Sequence, residues 1–354
     1  MARGDRFVAL GLAHARSNWF GDVARWSNSA ALPLEFVKCV TVEEVRTRFR
    51  TGRPFSALLI DSRVSGLDRD LVDEATSHAC AVIVVDDARV RRDWPALGAT
   101  AVLSDDFGPD ELLDALESFA VRIGIAETPM ADPTARAAAA WRGHLVAVTG
   151  PGGTGASSAA MAIAQGLAAD VRLGGLVALA DLALDADQAM LHDAGDVVPG
   201  VQELVEAHRN GQPTSTEIRA LTFAVGDRGY DLLLGLRRHR DWVTIRPRAF
   251  DAALDSLLRS YKAVVADITS DFEGERHCGS IDVEERNVMA RTTAAAADVV
   301  VVVGSPGPRG VHRMVRLVAA LVDVGIDGER ILPVVNRAPR SPRSRAEITA
   351  ALNT

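Results

Sequence analysis

Lysine is almost missing from this sequence of 354 residues, in which only Lys38 and Lys262 occur. Arginine supplies nearly all the other positive charge. Any site whose chemistry requires a lysine ammonium group can therefore draw on two positions only.

Cysteine is also scarce. Cys39, Cys80 and Cys278 are odd in number, far apart and in no C-x-x-C pair, which argues against a disulfide framework and a zinc site. No window approaches the roughly 18 consecutive apolar residues of a membrane span. Residues 1–16 lack the basic start, apolar centre and cleavage pattern of a signal peptide. We therefore expect a cytoplasmic protein.

Aromatic residues make up only 5% of the chain, whereas 48% of it is apolar, with many alanines and valines. This composition suits buried strands that alternate with alanine-rich helices. The formal net charge of −8 argues against nucleic-acid binding by the whole surface, although it leaves local basic patches open.

Two series of short apolar runs predict two α/β domains with doubly wound parallel sheets. The first, in residues 1–123, predicts strands at Phe7–Leu12, Leu34–Val40, Ala57–Ile60, Ala81–Val85 and Ala101–Leu103. The second, in residues 142–354, predicts strands at His144–Thr149, Val177–Ala180, Ala263–Ala266, Val299–Val303 and Ile331–Val335. Residues 124–141 are rich in proline, alanine and polar residues without a period, which predicts a linker.

The first domain resembles the flavodoxin-like receiver domains of response regulators. The segment LLIDSRVSGLDRD places Asp61 at the end of the third strand, and VLSDDFGPDELLDAL (102–116) resembles the fifth strand and last helix. The resemblance implies that Asp61 is the phosphoacceptor position. However, no acidic pair follows the first strand, while Asp86 and Asp105 stand where the family has a hydroxyl and a lysine.

Replacing the receiver lysine by Asp105 reverses the local charge, so a phosphoryl group on Asp61 would be repelled. We therefore expect that Asp61 is not phosphorylated and that the domain serves in docking or dimerisation. Two arrangements of the carboxylates stay open. Asp61, Asp86 and Asp105 either converge on a divalent ion or form a solvated acidic rim, and the rim is favoured.

The second domain begins with a strand, the loop GPGGTGASS (150–158) and an alanine-rich helix, which is the context of a phosphate-binding loop. The loop resembles the deviant Walker A motif of the MinD/ParA family. Pro151 and Ala156 stand at the positions of the family's two lysines. The resemblance implies nucleotide binding by Gly150, Pro151, Gly152, Gly153, Thr154, Gly155, Ala156, Ser157 and Ser158.

Three later segments extend this resemblance. LVALADLALDADQAMLHD (176–193) keeps Asp181 of an acidic pair but has Ala183 at the second position, and YKAVVAD ends in Asp267 like a Walker B strand. VVNR resembles the segment that contacts adenine and implicates Asn336 and Arg337. The resemblance implies that ATP or ADP binds weakly, with Mg²⁺ near Ser157, Asp181 and Asp267.

Catalysis by this loop is hard to reconcile with its residues, because transfer of a phosphoryl group depends on cations that stabilise the developing charge. Proline and alanine carry no charge. Lys262 precedes the Walker B strand, at the end of the sheet opposite the phosphates. We therefore expect a protein that does not hydrolyse nucleotide or does so very weakly, unless an arginine acts in trans.

The receiver-like start and the segment AADVVVVVGSPGPRGVHRMVRLV (296–318) resemble the CpaE/TadZ branch of the family, including its septum-site-determining relatives. This resemblance implies a homodimeric scaffold that localises a pilus, secretion or septum apparatus, recruited to a pole or septum by a protein partner. Two alternatives are a slow ATPase and a partition-type DNA-binding protein. The latter would use Arg237, Arg238, Arg240, Arg246, Arg248, Arg340, Arg343 and Arg345.

Nucleic acid is not the partner we expect, because arginines on an acidic protein more often form a solvated face. The tail SPRSRAEITAALNT offers only a few apolar residues, among them Ile348 and Leu352. That is too narrow a face for an amphipathic membrane helix. We therefore expect no direct membrane insertion.

Overall fold

The computed structural model describes residues 6–14, 17–50, 53–90, 92–123 and 141–352. The chain divides into two compact units, and each is built on its own sheet. Of the described residues, unit 1 contains those up to 123 and residues 209–212, and unit 2 contains residues 141–208 and 213–352. Apart from Trp141, the predicted linker lies outside the described residues. The predicted domain boundaries therefore stay predictions.

Unit 1 contains a five-stranded parallel sheet in the order β2-β1-β3-β4-β5, which is the flavodoxin-like order. The predicted strands are confirmed to within one residue, and Val40 lies just outside its strand. The elements are β1 Phe7–Leu12, α1 Trp19–Asn28, β2 Leu34–Cys39, α2 Val42–Arg50, β3 Ala57–Asp61, α3 Arg69–Ser77, β4 Ala81–Asp86, α4 Trp94–Leu97, β5 Ala101–Ser104 and α5 Pro109–Phe119.

Helices cover both faces of this sheet, because successive side chains of a strand point to opposite faces. In β1, Leu10 packs in the apolar cluster of α2, α3 and α4, and Ala9 packs in the cluster of α1 and α5. Both side chains are completely buried. This two-sided burial explains why the strands appear in the sequence as continuous apolar runs.

Unit 2 contains a seven-stranded sheet in the order β12-β11-β6-β10-β7-β9-β8. Its elements are β6 His144–Thr149, α6 Ala156–Ala168, β7 Val177–Leu182, α7 Gln188–Leu191, α8 Val201–Asn210, α9 Ser215–Arg219, β8 Phe223–Val225, β9 Tyr230–Leu233, α10 Pro247–Ser260, β10 Ala263–Ile268, α11 Glu275–Cys278, α12 Ile281–Arg286, α13 Val288–Ala296, β11 Val299–Gly304, α14 Pro308–Asp323, β12 Ile331–Val335 and α15 Pro342–Leu352.

The predicted parallel strands of unit 2 are confirmed, but the sequence interpretation missed β9 and the antiparallel edge strand β8. Helix α6 packs on one face, where Ala160 and Ala164 are completely buried. Helices α10, α13 and α14 contribute to the core on the other face. The fold class, two doubly wound α/β sheets, is confirmed. None of the helices in the described ranges is long and apolar enough to cross a bilayer.

Candidate functional site

The glycine-rich loop of unit 2 joins β6 to α6 at the carboxyl end of the sheet. Gly153 and Gly155 have φ angles of 81° and 88°, which residues with a Cβ atom rarely adopt. A Cβ atom added at Gly152 or Gly153 would meet nothing within 4 Å, so the outer side of the loop is open. An open loop followed by a helix N-terminus presents N–H groups and favours anions.

Two buried hydroxyl groups lie at this loop. Thr149 ends β6 and Thr154 precedes Gly155, and neither Oγ1 atom has a hydrogen-bond partner among the described residues. Buried polar atoms are normally satisfied, so such an exception points to a partner outside the protein, such as a ligand or water. The loop therefore has both the backbone shape and the spare polar atoms of a phosphate site.

The two positions where the sequence resemblance places lysines carry no charge in this loop, because they are Pro151 and Ala156, which are both only partly buried. Lys262 cannot replace them, because it precedes β10 at the amino end of the strand, and its Nζ donates to the Arg172 carbonyl oxygen over 3.0 Å. In P-loop proteins a lysine normally reaches the β- and γ-phosphates. Unit 2 therefore lacks lysine at its loop.

Two arginines that the sequence interpretation missed lie beside the loop. Arg313 and Arg316, both exposed on α14, line a cavity of about 300 Å³ together with Pro151 and residues 270–273. Their spacing of three residues places them on one side of the helix. The spacing of these arginines within residues 308–323 was a signal in the sequence from which they could have been identified as candidate site residues.

Two buried carboxylates lie side by side at the carboxyl end of the sheet, close to α6. Asp181 in β7 is paired in register with Asp267 in β10, and their exposed fractions are 0% and 3%. Gln188, also completely buried, holds both of them. Its backbone N donates to Asp181 Oδ2 over 2.9 Å, and its Nε2 donates to Asp267 Oδ2 over 2.7 Å. The same Nε2 donates to the Ser157 carbonyl oxygen over 3.2 Å.

Burial governs the charge of this pair, because a low-dielectric environment disfavours a carboxylate. Burial raises the pKa of Asp181 to about 8, against the lowering effect of the backbone N–H groups of Gln188 and Ala183. The charge of Asp267 raises that pKa further. Burial also raises the pKa of Asp267, although hydrogen bonds from Gln188 and Ser157 oppose the rise.

The structure thus brings together Ser157, Asp181 and Asp267, the predicted metal residues, and adds Gln188 between them. The sequence interpretation missed Gln188. It is the only amide side chain in residues 176–193, which was a weak signal. Only the sheet topology brings it next to Asp267.

Asn336 follows β12 and ties the loop to the neighbouring strand. Its Nδ2 donates to the Thr154 carbonyl oxygen over 2.9 Å, and its Oδ1 accepts from the backbone N of Arg337 over 2.9 Å. Arg337 has a φ of 53°, a strained backbone conformation of the kind that clusters at functional sites. Asn336 therefore positions the loop, while its contact with adenine stays a prediction.

The carboxylate of Asp61 in unit 1 is enclosed rather than solvated, with an exposed fraction of 2%. Arg63 donates to Oδ1 from Nε and to Oδ2 from Nη2, each over 3.0 Å, and its backbone N donates to Oδ1 over 2.9 Å. Ser17 also donates to Oδ2. Burial alone would raise the pKa of Asp61, but the donors lower it to about 2, so the group is firmly ionised.

The favoured expectation of a solvated acidic rim is therefore wrong for Asp61. Arg63 also pairs with Asp87, with 3.2 Å between Nη1 and Oδ2. Asp86 accepts from the Trp94 indole instead, and Asp105 is exposed. Convergence of the three predicted carboxylates on a metal is not found either, since no group of three potential ligands occurs in the described part of the chain. The cationic group that contacts Asp61 in the structure is the Arg63 guanidinium.

Comparison with known proteins supports the fold of unit 2. No protein-family model matches the chain, and a search of curated proteins finds no match. Among solved structures, a ParA family ATPase from Chlorobium tepidum TLS aligns with a TM-score of 0.50 and 16% identity, over 59% of this chain and 81% of that chain.

Two further structures align with a TM-score of 0.43 and 16% identity, over 60% of this chain and 78% of theirs. One is a complex of a Cyanothece McdA variant with ATP, and the other is the septum site-determining protein MinD complexed with Mg-ADP from Pyrococcus horikoshii OT3. The first alignment, at this identity, is evidence for a MinD/ParA-type fold and for nothing beyond the fold.

Proposed function

We propose that this protein is a nucleotide-binding scaffold of the MinD/ParA type that binds ATP or ADP weakly and hydrolyses it at background rates. The observation that carries the proposal is a loop with the backbone of a phosphate site but with Pro151 and Ala156 at its lysine positions. Backbone N–H groups can hold a phosphate. Without a lysine at either position, however, the loop itself supplies no cation to stabilise the charge that develops during transfer.

The more specific role comes from the sequence resemblance to the CpaE/TadZ branch. Under this proposal, the protein acts as a homodimer through unit 2, and a protein partner recruits it to a pole or septum to localise a pilus, secretion or septum apparatus. Unit 1 is then a receiver-like docking module. Its Asp61 is already neutralised by Arg63, which leaves no opening for regulation by phosphorylation.

The second candidate is a slow ATPase completed by arginine in trans. One observation favours it: Arg313 and Arg316 line the same cavity as Pro151, so positive charge does lie beside the loop. Arginine can stabilise a transferred phosphoryl group, and it does so in trans in several enzymes. Because they lie beside the loop of their own chain, they favour an ATPase assisted by arginine, while action in trans on a second copy stays a prediction.

The partition-type alternative has less support. Arg237 is bound to Glu203, with 2.7 Å between its Nη2 and Oε1, and Arg343 to Glu347 with 3.1 Å between Nε and Oε1. Arginines engaged with neighbouring carboxylates present less charge to a phosphate backbone. We therefore do not propose nucleic acid as a partner.

Equilibrium binding of ATP and ADP, with phosphate release measured on the same sample, tests the proposal. We expect saturable binding and no turnover above background. Phosphate release at about 1 per second, the lower end of typical enzyme rates, would contradict it if Asp267→Ala abolished that activity. Absence of any nucleotide binding would also contradict it.

A restored lysine gives a sharper version of this test. Ala156→Lys places an ammonium group at the start of α6, whereas Ala162→Lys adds the same charge at an exposed position of the same helix. A hydrogen bond to a charged group contributes roughly 1.5–3 kcal/mol, which is about tenfold or more in affinity. We expect this gain for ATP in Ala156→Lys only. Equal affinities of the two variants would contradict a phosphate site at this loop.

A further inference from the structure

The position of Gln188 bears on whether unit 2 can use a divalent cation. Its side chain is completely buried where the first turn of α6 meets the ends of β7 and β10. The Nε2 atom lies 2.7 Å from Asp267 Oδ2 and 3.2 Å from the Ser157 carbonyl oxygen. One amide nitrogen therefore bridges the Walker B strand and the P-loop helix.

The carboxylates of this region already have donors. Asp181 accepts from the backbone N of Gln188 over 2.9 Å and from that of Ala183 over 3.3 Å. Asp267 accepts from Gln188 Nε2 and from the side chain of Ser157. Each acid thus has two protein donors, and Gln188 supplies one to each.

Mg²⁺ demands a nearly octahedral set of oxygen ligands about 2.0–2.1 Å away, usually one or two carboxylates with waters. In unit 2 an NH₂ group faces the oxygens that such an ion would need. An amide hydrogen satisfies a carboxylate as a donor but brings no net charge. The Oε1 atom of Gln188 is buried without a hydrogen-bond partner among the described residues. Gln188 nevertheless meets Asp267 through its NH₂ group, so a donor occupies the side of that carboxylate oxygen where a divalent cation would bind.

We propose that the Gln188 side-chain amide takes the place of a divalent cation in unit 2, so that the P-loop binds phosphate groups without a metal. Gln188 acts as a positioning residue: it holds Asp181, Asp267 and the first turn of α6 in one arrangement. The statement about phosphate binding rests on the proposed function, because it requires that the loop binds nucleotide. The statement that no divalent cation binds can be tested without nucleotide.

The test is a titration of the full-length protein with Mn²⁺ alone, followed by electron paramagnetic resonance, and repeated with ATP. We expect no saturable site in the wild-type chain under either condition. We also expect that ATP affinity, where it is measurable, is the same in Mg²⁺ and in EDTA within about twofold. A saturable Mn²⁺ site that Asp267→Asn removes, or a tenfold loss of ATP affinity in EDTA, would overturn the proposal.

Variants of two glutamines test the role of the amide itself. Gln188→Ala removes the donor between Asp267 and Ser157, whereas Gln165→Ala is the same change at an exposed position of α6. Gln188→Ala should melt several degrees lower, because buried acceptors lose a donor. Mn²⁺ should raise the melting temperature of Gln188→Ala but not that of Gln165→Ala or the wild type.

The results of the Mn²⁺ and ATP experiments distinguish failure of this inference from failure of the proposed function. A folded Gln188→Ala that is as insensitive to Mn²⁺ as the wild type would overturn the claim that the amide occupies the cation's place. If Gln188→Ala does not fold, the Mn²⁺ titration of the wild-type protein still shows whether a divalent cation binds. If ATP does not bind at all, the proposed function fails, while a wild-type chain without a Mn²⁺ site still supports this inference.

Discussion

Arg63→Ala is the most informative substitution in unit 1, because Arg63 supplies several of the hydrogen bonds that stabilise the buried carboxylate of Asp61. Its guanidinium donates twice to Asp61, over 3.0 Å in each case, and also pairs with Asp87. After the substitution, the donors to Asp61 that remain among the described residues are the backbone N–H at position 63, the Ser17 hydroxyl and the Trp19 indole, with a long contact of 3.4 Å. The carboxylate would remain buried without the guanidinium that pairs with it.

The pKa of Asp61 indicates how much stability the Arg63→Ala substitution should cost. A carboxyl whose pKa is about 2 in the folded protein and near 3.8 ordinarily contributes about 2.5 kcal/mol at neutral pH. Breaking a buried ion pair on one side costs about 3–5 kcal/mol. We therefore expect Arg63→Ala to destabilise unit 1 by about 2–4 kcal/mol. Asp61→Asn in the same background should restore part of this loss, because position 61 then carries no charge, while Asp87 still lacks its contact with Arg63.

The pH dependence has a definite sign. In the wild type, the folded-state pKa of Asp61 is depressed, so its contribution is present above about pH 4 and is lost as the pH falls to about 2. In Arg63→Ala, burial should raise the pKa of Asp61 above its ordinary value. Stability from this group then increases as the pH falls from neutral towards 4. The difference between the two proteins should therefore shrink on acidification.

Urea unfolding followed by tryptophan fluorescence measures these differences, since Trp19, Trp26 and Trp94 lie in unit 1. Arg89→Ala is the matched control: its side chain is 79% exposed, and its Nε lies 3.5 Å from Asp87 Oδ2. Because the Arg89 side chain is exposed to solvent, its pair with Asp87 should contribute about 1 kcal/mol or less. The reasoning is refuted if Arg63→Ala unfolds like Arg89→Ala, or if its deficit does not shrink in acid.

Three further predictions concern the loop, the assembly and Asp61. Gly155→Ala should destabilise unit 2 by about 1–2 kcal/mol, because φ is 88° and the new Cβ would lie 2.6 Å from Asn336 Nδ2. Gly166→Ala, at an open helical position, should instead stabilise it by about 0.5–1 kcal/mol, and urea unfolding that ranks them equally would be inconsistent with this. The full chain should sediment as a dimer with one dissociation constant with and without ATP, because Pro151 stands where the sequence resemblance places a lysine that contacts the nucleotide of the second subunit; a tenfold shift, about 1.4 kcal/mol, would argue against it. Beryllofluoride or acetyl phosphate should leave Asp61 unmodified, and an adduct there in mass spectra would contradict the pairing with Arg63.

The sequence located ten parallel strands to within two residues, because a strand buried on both faces is a continuous apolar run. It missed β8 and β9, which have three and four residues, because so short an apolar run is a weak signal. In addition, β8 is the edge strand and is only partly buried, whereas β9 lies next to it and is mostly buried. It also located the glycine-rich loop and showed that the loop contains no lysine, because a glycine-rich turn between a strand and a helix is a local pattern.

Only the tertiary structure decided which groups contact the buried carboxylates. Arg63 is two residues from Asp61, yet only the folded chain shows its guanidinium turned back onto that carboxylate. Gln188 lies 79 positions from Asp267, and they meet because β7 and β10 are neighbours whose carboxyl ends converge. A sequence pattern records local periodicity. The partner of a buried charge is set by strand order and by the direction of side chains, which no local pattern contains.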